Sequence, residues 1–253
     1  MHQADDLFYQ PAMRLSKFLS QNGICSRREA EKFIRRGWLQ VDGEVVHKLG
    51  TTISNSSKIT LHPELQKFQK NLITILMNKP VGYASGQPEK GYKPALSLIT
   101  KSRQHIGPEL SENSRIKWPI KNLAPAGRLD IDSSGLLVFT QDGRIAQQLI
   151  APDSNVEKEY LVRVDKSVTD KQIRNLTHGI TLDDVKLKHA NVELLDVDYM
   201  RIILTEGRKR QIRRMCALVG LDVKGLKRVR IGQVRLGSLK PGMWRQLTRQ
   251  EKF

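Results

Sequence analysis

A polar interruption between Leu61 and Asn71 does most to restrict how this chain can fold. His62-Pro63-Glu64, Gln66-Lys67 and Gln69-Lys70 follow one another there, and a stretch of that composition reads as a linker between two folding units. The expected divisions are a loose arm over 1–12, a small domain over 13–61, the linker over 62–71 and a larger domain over 72–253. The arm shows no clear period and carries Asp5, Asp6 and Pro11; Met13 is an alternative start.

In the small domain, Leu15, Phe18 and Leu19 predict a short helix that Asn22-Gly23 ends. Ser26-Arg27-Arg28-Glu29 has the capping-box form, so a second helix follows with Ala30, Phe33 and Ile34 as its apolar stripe and Gly37 as its stop. Leu39, Val41, Val45 and Val46 flank Asp42-Gly43, the signal for a two-residue hairpin turn. In the larger domain, 72–77 predicts a buried strand ended by Asn78-Lys79-Pro80. A Gly-, Pro-, Ser- and Lys-rich surface excursion follows over 85–123, with one short helix around 95–99. Further strands are expected over 135–140, 159–164, 192–195, 201–204 and 228–236, and helices over 144–150 and 209–219. Strands and helices mix without regular alternation, which predicts an α+β fold: a helix-helix-hairpin domain and a larger domain built on a mixed or antiparallel sheet.

Lys and Arg number 43 against 26 Asp and Glu, a formal charge of +17, so the chain is built to meet a polyanion, with nucleic acid and an anionic membrane surface as the two candidates. The longest apolar runs, 72–77 and 135–139, fall far short of the ~20 residues of a membrane span, and no signal-peptide pattern opens the chain. A soluble, cytoplasmic, monomeric protein with RNA as partner is expected, without a membrane. Between Arg208 and Arg249 the only acid is Asp222 among 13 Lys or Arg, a block that repels itself unless phosphates neutralise it or it forms a solvated face. The helix over 26–36 carries Arg27, Arg28, Lys32, Arg35 and Arg36 and reads as an RNA-docking surface. Aromatic residues are few, which favours recognition of folded RNA by shape over a single-strand stacking platform. Cys25 and Cys216 each fall in a helical pattern without the paired spacing of a zinc site and read as buried thiols.

Gly127-Arg128-Leu129-Asp130 lies between a loop and the strand near Gly135, a placement that puts the Asp130 carboxylate at a strand's edge, where sites form. On the residues alone, Asp130, Asp132, Ser133 and Ser134 are equally turn formers. No Gly-rich phosphate loop, metal-ligand cluster or G-x-S-x-G elbow occurs, so the chemistry left is that of a carboxylate with neither cofactor nor metal. Such an Asp needs a cationic partner, and the C-terminal arginines supply candidates.

The run from Ala126 to Leu137 resembles the GRLD-x-x-S/T-x-G-L-L signature of the RsuA-type pseudouridine synthases. Further blocks of that family fall in order: Asn78-Lys79-Pro80, Lys158-Glu159-Tyr160-Leu161-Val162, Glu206-Gly207-Arg208, Arg210-Gln211-Ile212-Arg213-Arg214-Met215 and Ile231-Gly232. The N-terminal region is similar to the small RNA-binding domain named after ribosomal protein S-four, through Arg14-Leu15, Gly23, Ser26-Arg27-Arg28 and Val41-Asp42-Gly43. Within the family the chain is most similar to the RluF-like branch that acts on large-subunit ribosomal RNA, through Gln211-Ile212-Arg213-Arg214-Met215-Cys216 and Trp244-Arg245. The resemblance implies an isomerase that detaches uracil from its sugar, rotates it and rejoins it through carbon five, with no cofactor. Asp130 is then the catalytic aspartate, attacking the sugar or removing a sugar proton. Tyr160 packs against the target base, and Arg213 pairs with the aspartate and keeps it charged.

Candidate RNA contacts are Arg14, Ser26, Arg27, Arg28, Lys32, Arg128, Arg208, Arg210, Arg214 and Arg228. Tyr160 as a plain strand residue and Arg213 as a phosphate ligand stay open. So do a target in small-subunit ribosomal RNA or a transfer RNA stem-loop, and a non-catalytic ribosome-assembly role. The chain departs from the family pattern twice: the 85–123 excursion is long, which bears on the target, and Gln141 stands where Asn is common.

Overall fold

A computed structural model describes residues 13–87, 91–106, 116, 118–178, 180–248 and 250–253; the expected arm over 1–12 lies outside them. The chain divides into two compact units, Met1–Leu72 with Asp142–Gln147, and Ile73–Gln141 with Gln148–Phe253.

In the first unit, α1 (Leu15–Gln21) ends at Asn22, and α2 (Arg27–Arg35) starts from Ser26. The Ser26 Oγ accepts from Glu29 N at 3.2 Å, and the Glu29 carboxylate accepts from Ser26 N at 2.8 Å, the reciprocal bonds of a capping box. β1 (Leu39–Val41) and β2 (Glu44–Val45) form the hairpin, with Asp42 and Gly43 both at positive φ as a primed turn requires. β3 (Ile59–Leu61) pairs with the other side of β1. Leu15, Leu19, Ala30, Phe33, Ile34 and Leu39 form the core.

The expected linker is instead a helix. α3 (Pro63–Lys70) has Pro63 in its first turn, where the missing N–H costs nothing. It buries Leu65 and sets Phe68 edge-on to Phe33 at 5.6 Å and to Trp38 at 6.2 Å. Two apolar side chains three apart suffice to dock a helix this short, and its polar face accounts for the linker-like composition.

The second unit is built on β4 (Thr74–Lys79), β5 (Ser134–Thr140), α4 (Gly143–Ile150, whose first turns belong to the first unit), β6 (Lys158–Val164), α5 (Asp170–Thr177), β7 (Asn191–Asp196), β8 (Tyr199–Leu204), α6 (Gln211–Leu218), β9 (Val223–Ile231) and β10 (Trp244–Gln246). Its sheet runs β7-β8-β6-β9-β5-β4-β10. Neighbours are antiparallel except β5 and β9, which meet in parallel at Ser134↔Lys227 and Gly135↔Arg228. One apolar cluster gathers Val162, Met200, Ile202, Ile212, Met215 and Cys216, the other Ile75, Met77, Leu137, Phe139 and Trp244; Tyr160 packs against both.

The expected strand over 228–236 is the end of β9, a turn at Gly232, and a short return strand Val234–Arg235. α5 was not expected, although Thr169 and Gln172 form a second capping box. The short helix near 95–99 is a 3-10 turn over Ala95–Leu98. Cys216 sits in α6, whereas Cys25 lies in the turn ahead of α2; burial pushes both thiols up to about 12, which leaves them un-ionised at neutral pH.

Candidate active site

Asp130 stands in the loop between the short strand Ala124–Pro125 and β5. Five consecutive carbonyls of this loop each have a donor. Arg128 O accepts from Arg228 Nη1 at 3.3 Å, Leu129 O from Ser85 Oγ at 2.6 Å, Asp130 O from Ser133 N at 3.0 Å, Ile131 O from Gly82 N at 2.8 Å, and Asp132 O from Arg213 Nη2 at 2.8 Å. Ser85 Oγ also accepts from Leu129 N at 2.9 Å, so this buried hydroxyl holds Leu129 at both its backbone groups. The loop's backbone is therefore fixed by its surroundings, while the half-buried Asp130 carboxylate has no hydrogen-bond or ion-pair partner among the described residues. A rigid frame around an unspent carboxylate is the arrangement a reacting group needs.

The pairing expected between Arg213 and Asp130 is not what the structure holds. Arg213 reaches Asp132, with Nε 3.2 Å from Oδ2, and Arg210 grips the same carboxylate with both its terminal nitrogens at 3.2 and 2.9 Å. Burial works against the Asp132 charge, but the Arg210 hydrogen bonds and the Arg213 charge outweigh it and hold the carboxyl below its usual range. Arg210 carries this load from a left-handed backbone conformation (φ 52°, ψ 31°) at the start of α6. Asp132, two residues from Asp130 and in the sequence no more than a turn former, thus organises the arginines at the site.

Lys79, in the sequence one member of the Asn78-Lys79-Pro80 block, is fully buried at the end of β4. Its Nζ donates to Pro80 O and Tyr83 O, both at 2.9 Å. Burial pulls its pKa down to about 8, against the opposing pull of Asp132 and Asp130. The side-chain ammonium signal of Lys79, followed by nitrogen-detected NMR, is expected to titrate near that value; titration above 10 would show the amine to be solvated. Between about 8 and the ordinary lysine value the unfolded chain binds this proton and the folded chain does not, so this residue's contribution to stability rises with pH across that window.

Tyr160 is brought to the Asp130 loop from β6. Its side chain packs with Leu129 in one apolar cluster, and its Oη accepts from Arg228 Nη1 at 3.4 Å. Arg228, expected as an RNA contact, is 4% exposed and its guanidinium is engaged inside the fold, so it is not a surface phosphate ligand.

The other expected RNA contacts divide by position. Arg14, Arg27, Arg28 and Lys32 are exposed on the first unit, and Ser26 caps α2. Arg128 and Arg208 are exposed on the second unit, Arg210 pairs with Asp132, and Arg214 pairs with Asp183 at 2.6 Å. The basic C-terminal block therefore does not depend on phosphate alone for neutralisation. Arg230 meets Glu157 and Glu159, and Arg245 meets Glu251. These acids lie outside the block or at its far end, beyond what local composition shows. The exposed pairs are weak, about 0–1 kcal/mol each, and exchange readily for phosphate. Among the described residues no cluster of three or more His, Cys, Asp or Glu is placed to hold a metal ion, and no helix is long and apolar enough to cross a membrane.

A model of the family described as RNA pseudouridylate synthase matches residues 73–218, the part of the chain that carries this loop. The chain belongs to that family. A model of the S4 domain matches residues 13–58 of the synthase. An uncharacterized RNA pseudouridine synthase of Aquifex aeolicus (strain VF5) is 36% identical over 241 residues, covering 94% of each chain. The dual-specificity RNA pseudouridine synthase RluF of Escherichia coli (strain K12) is 33% identical over 242 residues, covering 95% of this chain and 77% of its own. Among solved structures, a crystal structure of a pseudouridylate synthase superposes with a TM-score of 0.63 at 28% identity, over 94% of this chain and 96% of the other. The synthase thus combines an RNA-modifying isomerase domain with an S4 domain, on a mixed α+β fold.

Proposed function

We propose that this synthase isomerises one uridine in structured RNA, with large-subunit ribosomal RNA as the first target to test, and that Asp130 is its catalytic residue. The observation that carries the reading is the loop in which five successive carbonyls are held while the Asp130 carboxylate is left unspent. A uridine reaches such a site only by leaving its stack, at a cost of a few kcal/mol that contacts to base and backbone offset. There the C1′–N1 bond breaks, the uracil turns, a C1′–C5 bond forms, the C5 proton passes to solvent and N1 takes a proton up, so that the product is an isomer of the substrate. Asp130 is the group available to engage the sugar, Tyr160 lies against the base, and the exposed Arg210, held by Asp132, meets a backbone phosphate while the inward-facing Arg213 braces the loop. Ribosomal RNA in the cytoplasm fits a chain of this charge with an S4 domain. The enzyme acts as a monomer.

Because the C5 hydrogen is released, incubation of the purified protein with large-subunit, small-subunit and transfer RNA carrying tritium at uridine C5 reads the reaction directly. Tritium release from large-subunit RNA at one equivalent per molecule is expected. Release only from another RNA would move the target, and release from none would leave the chain a docking protein.

RNA affinity is expected to fall steeply with salt. Each neutralised phosphate contributes about −0.9 to the log–log slope, so engagement of the exposed Arg14, Arg27, Arg28, Lys32 and Arg35 alone gives a slope of roughly −4.5. A slope near zero in a fluorescence titration would contradict the cationic surfaces as the source of affinity.

A further inference from the structure

We propose that Arg228 is a positioning residue for the reaction, acting through Tyr160 and the Asp130 loop; this rests on the reading of that loop as the reaction site. Arg228 lies in β9, opposite Gly135, at the parallel junction with β5. Its guanidinium joins three separate pieces of the chain. Nε donates to Leu136 O at 2.8 Å in the strand leaving the loop, and Nη1 is shared between Arg128 O at 3.3 Å within the loop and Tyr160 Oη at 3.4 Å on β6. The guanidinium carbon lies 5.9 Å from the centre of the Tyr160 ring.

As a stabilising device this arrangement is poor. The cation is buried, no carboxylate pairs with it among the described residues, and Nη2 is buried without a hydrogen-bond partner. A buried charge without a counter-ion and an unmet donor both weigh against folding. An apolar side chain at this core position would avoid both costs. What an arginine supplies, and an apolar residue or a lysine cannot, is a planar fork that fixes the loop and the tyrosine hydroxyl in one frame. The two Nη1 contacts are long, as such contacts are before substrate draws a site together. Ser133 Oγ and Arg213 Nε, at the same loop and its arginine brace, are likewise buried without a well-aligned partner, so three of the four such atoms among the described residues lie at this loop, the fourth being Gln147 Oε1. Local rules are broken where the geometry serves the reaction.

The test is a double-mutant cycle on single-turnover pseudouridine formation, with Arg228→Lys, Tyr160→Phe and the pair, and Arg228→Gln beside them should the lysine variant fold poorly. The expected result is a fall in rate of roughly 10- to 100-fold for Arg228→Lys, with RNA affinity unchanged and the protein folded. Tyr160→Phe should slow the reaction too, and the double variant should be no slower than the slower single one, because both changes cut the same link. Multiplying effects in the double variant, or a wild-type rate for either single one, would overturn the proposal while leaving the synthase reading intact. A wild-type protein that releases no C5 proton from any RNA would overturn the reading beneath it.

Discussion

Asp130→Asn is expected to lower pseudouridine formation by on the order of 10⁴-fold or more while RNA affinity stays at the wild-type value. The separation follows from how the loop is held. Its conformation depends on five backbone carbonyls and their donors, and none of those bonds involves the Asp130 side chain. Exchanging one carboxylate oxygen for an amide nitrogen therefore removes the reacting group without releasing the frame. The measurement pairs C5-proton release with a binding titration on the same RNA. Retained turnover would remove Asp130 from the chemistry, and a parallel loss of affinity would make it an RNA ligand instead.

Gly135→Ala is expected to be the most damaging substitution for the fold of the second unit. A Cβ at this position would stand 2.2 Å from Arg228 O and 2.7 Å from Arg228 N, both backbone atoms, and φ is +104°, a conformation that side-chain-bearing residues rarely adopt. Backbone strain of about 1–3 kcal/mol adds to a cost of about 1–3 kcal/mol for overpacking. For a unit of this size the sum lowers the melting temperature by on the order of 10 °C. Because β9 must shift away from β5 to make room, the Arg228 fork moves with it, and activity should fall even in the fraction that stays folded. A melting temperature within a degree or two of wild type would show that the β5–β9 junction is loose enough to admit a Cβ.

The sequence made some of this legible and hid the rest for physical reasons. Capping and turn chemistry is local, so the α2 capping box and the Asp42-Gly43 hairpin could both be read from neighbours. α3 was misread because its contribution to the core comes from Leu65 and Phe68, while every polar residue around them argued for a linker. The signature placed Asp130 in its loop, but not the groups that hold the loop. Ser85 is 44 residues away from Leu129 and carries no periodic or motif signal. The partner of Arg213 depends on which carboxylate the loop turns toward α6, and that proved to be Asp132. Arg228 looked like one more cation in a basic run because sequence reports its charge and not its burial.

Whether this chain makes pseudouridine at a defined position through Asp130 is read by carbodiimide mapping of ribosomal and transfer RNA. RNA would be compared from cells with the gene deleted and from deleted cells complemented by the wild-type or the Asp130→Asn protein. One large-subunit ribosomal site is expected to disappear on deletion, to return with the wild-type protein and to stay absent with Asp130→Asn. Its return with Asp130→Asn would show that the reaction does not need the Asp130 carboxylate.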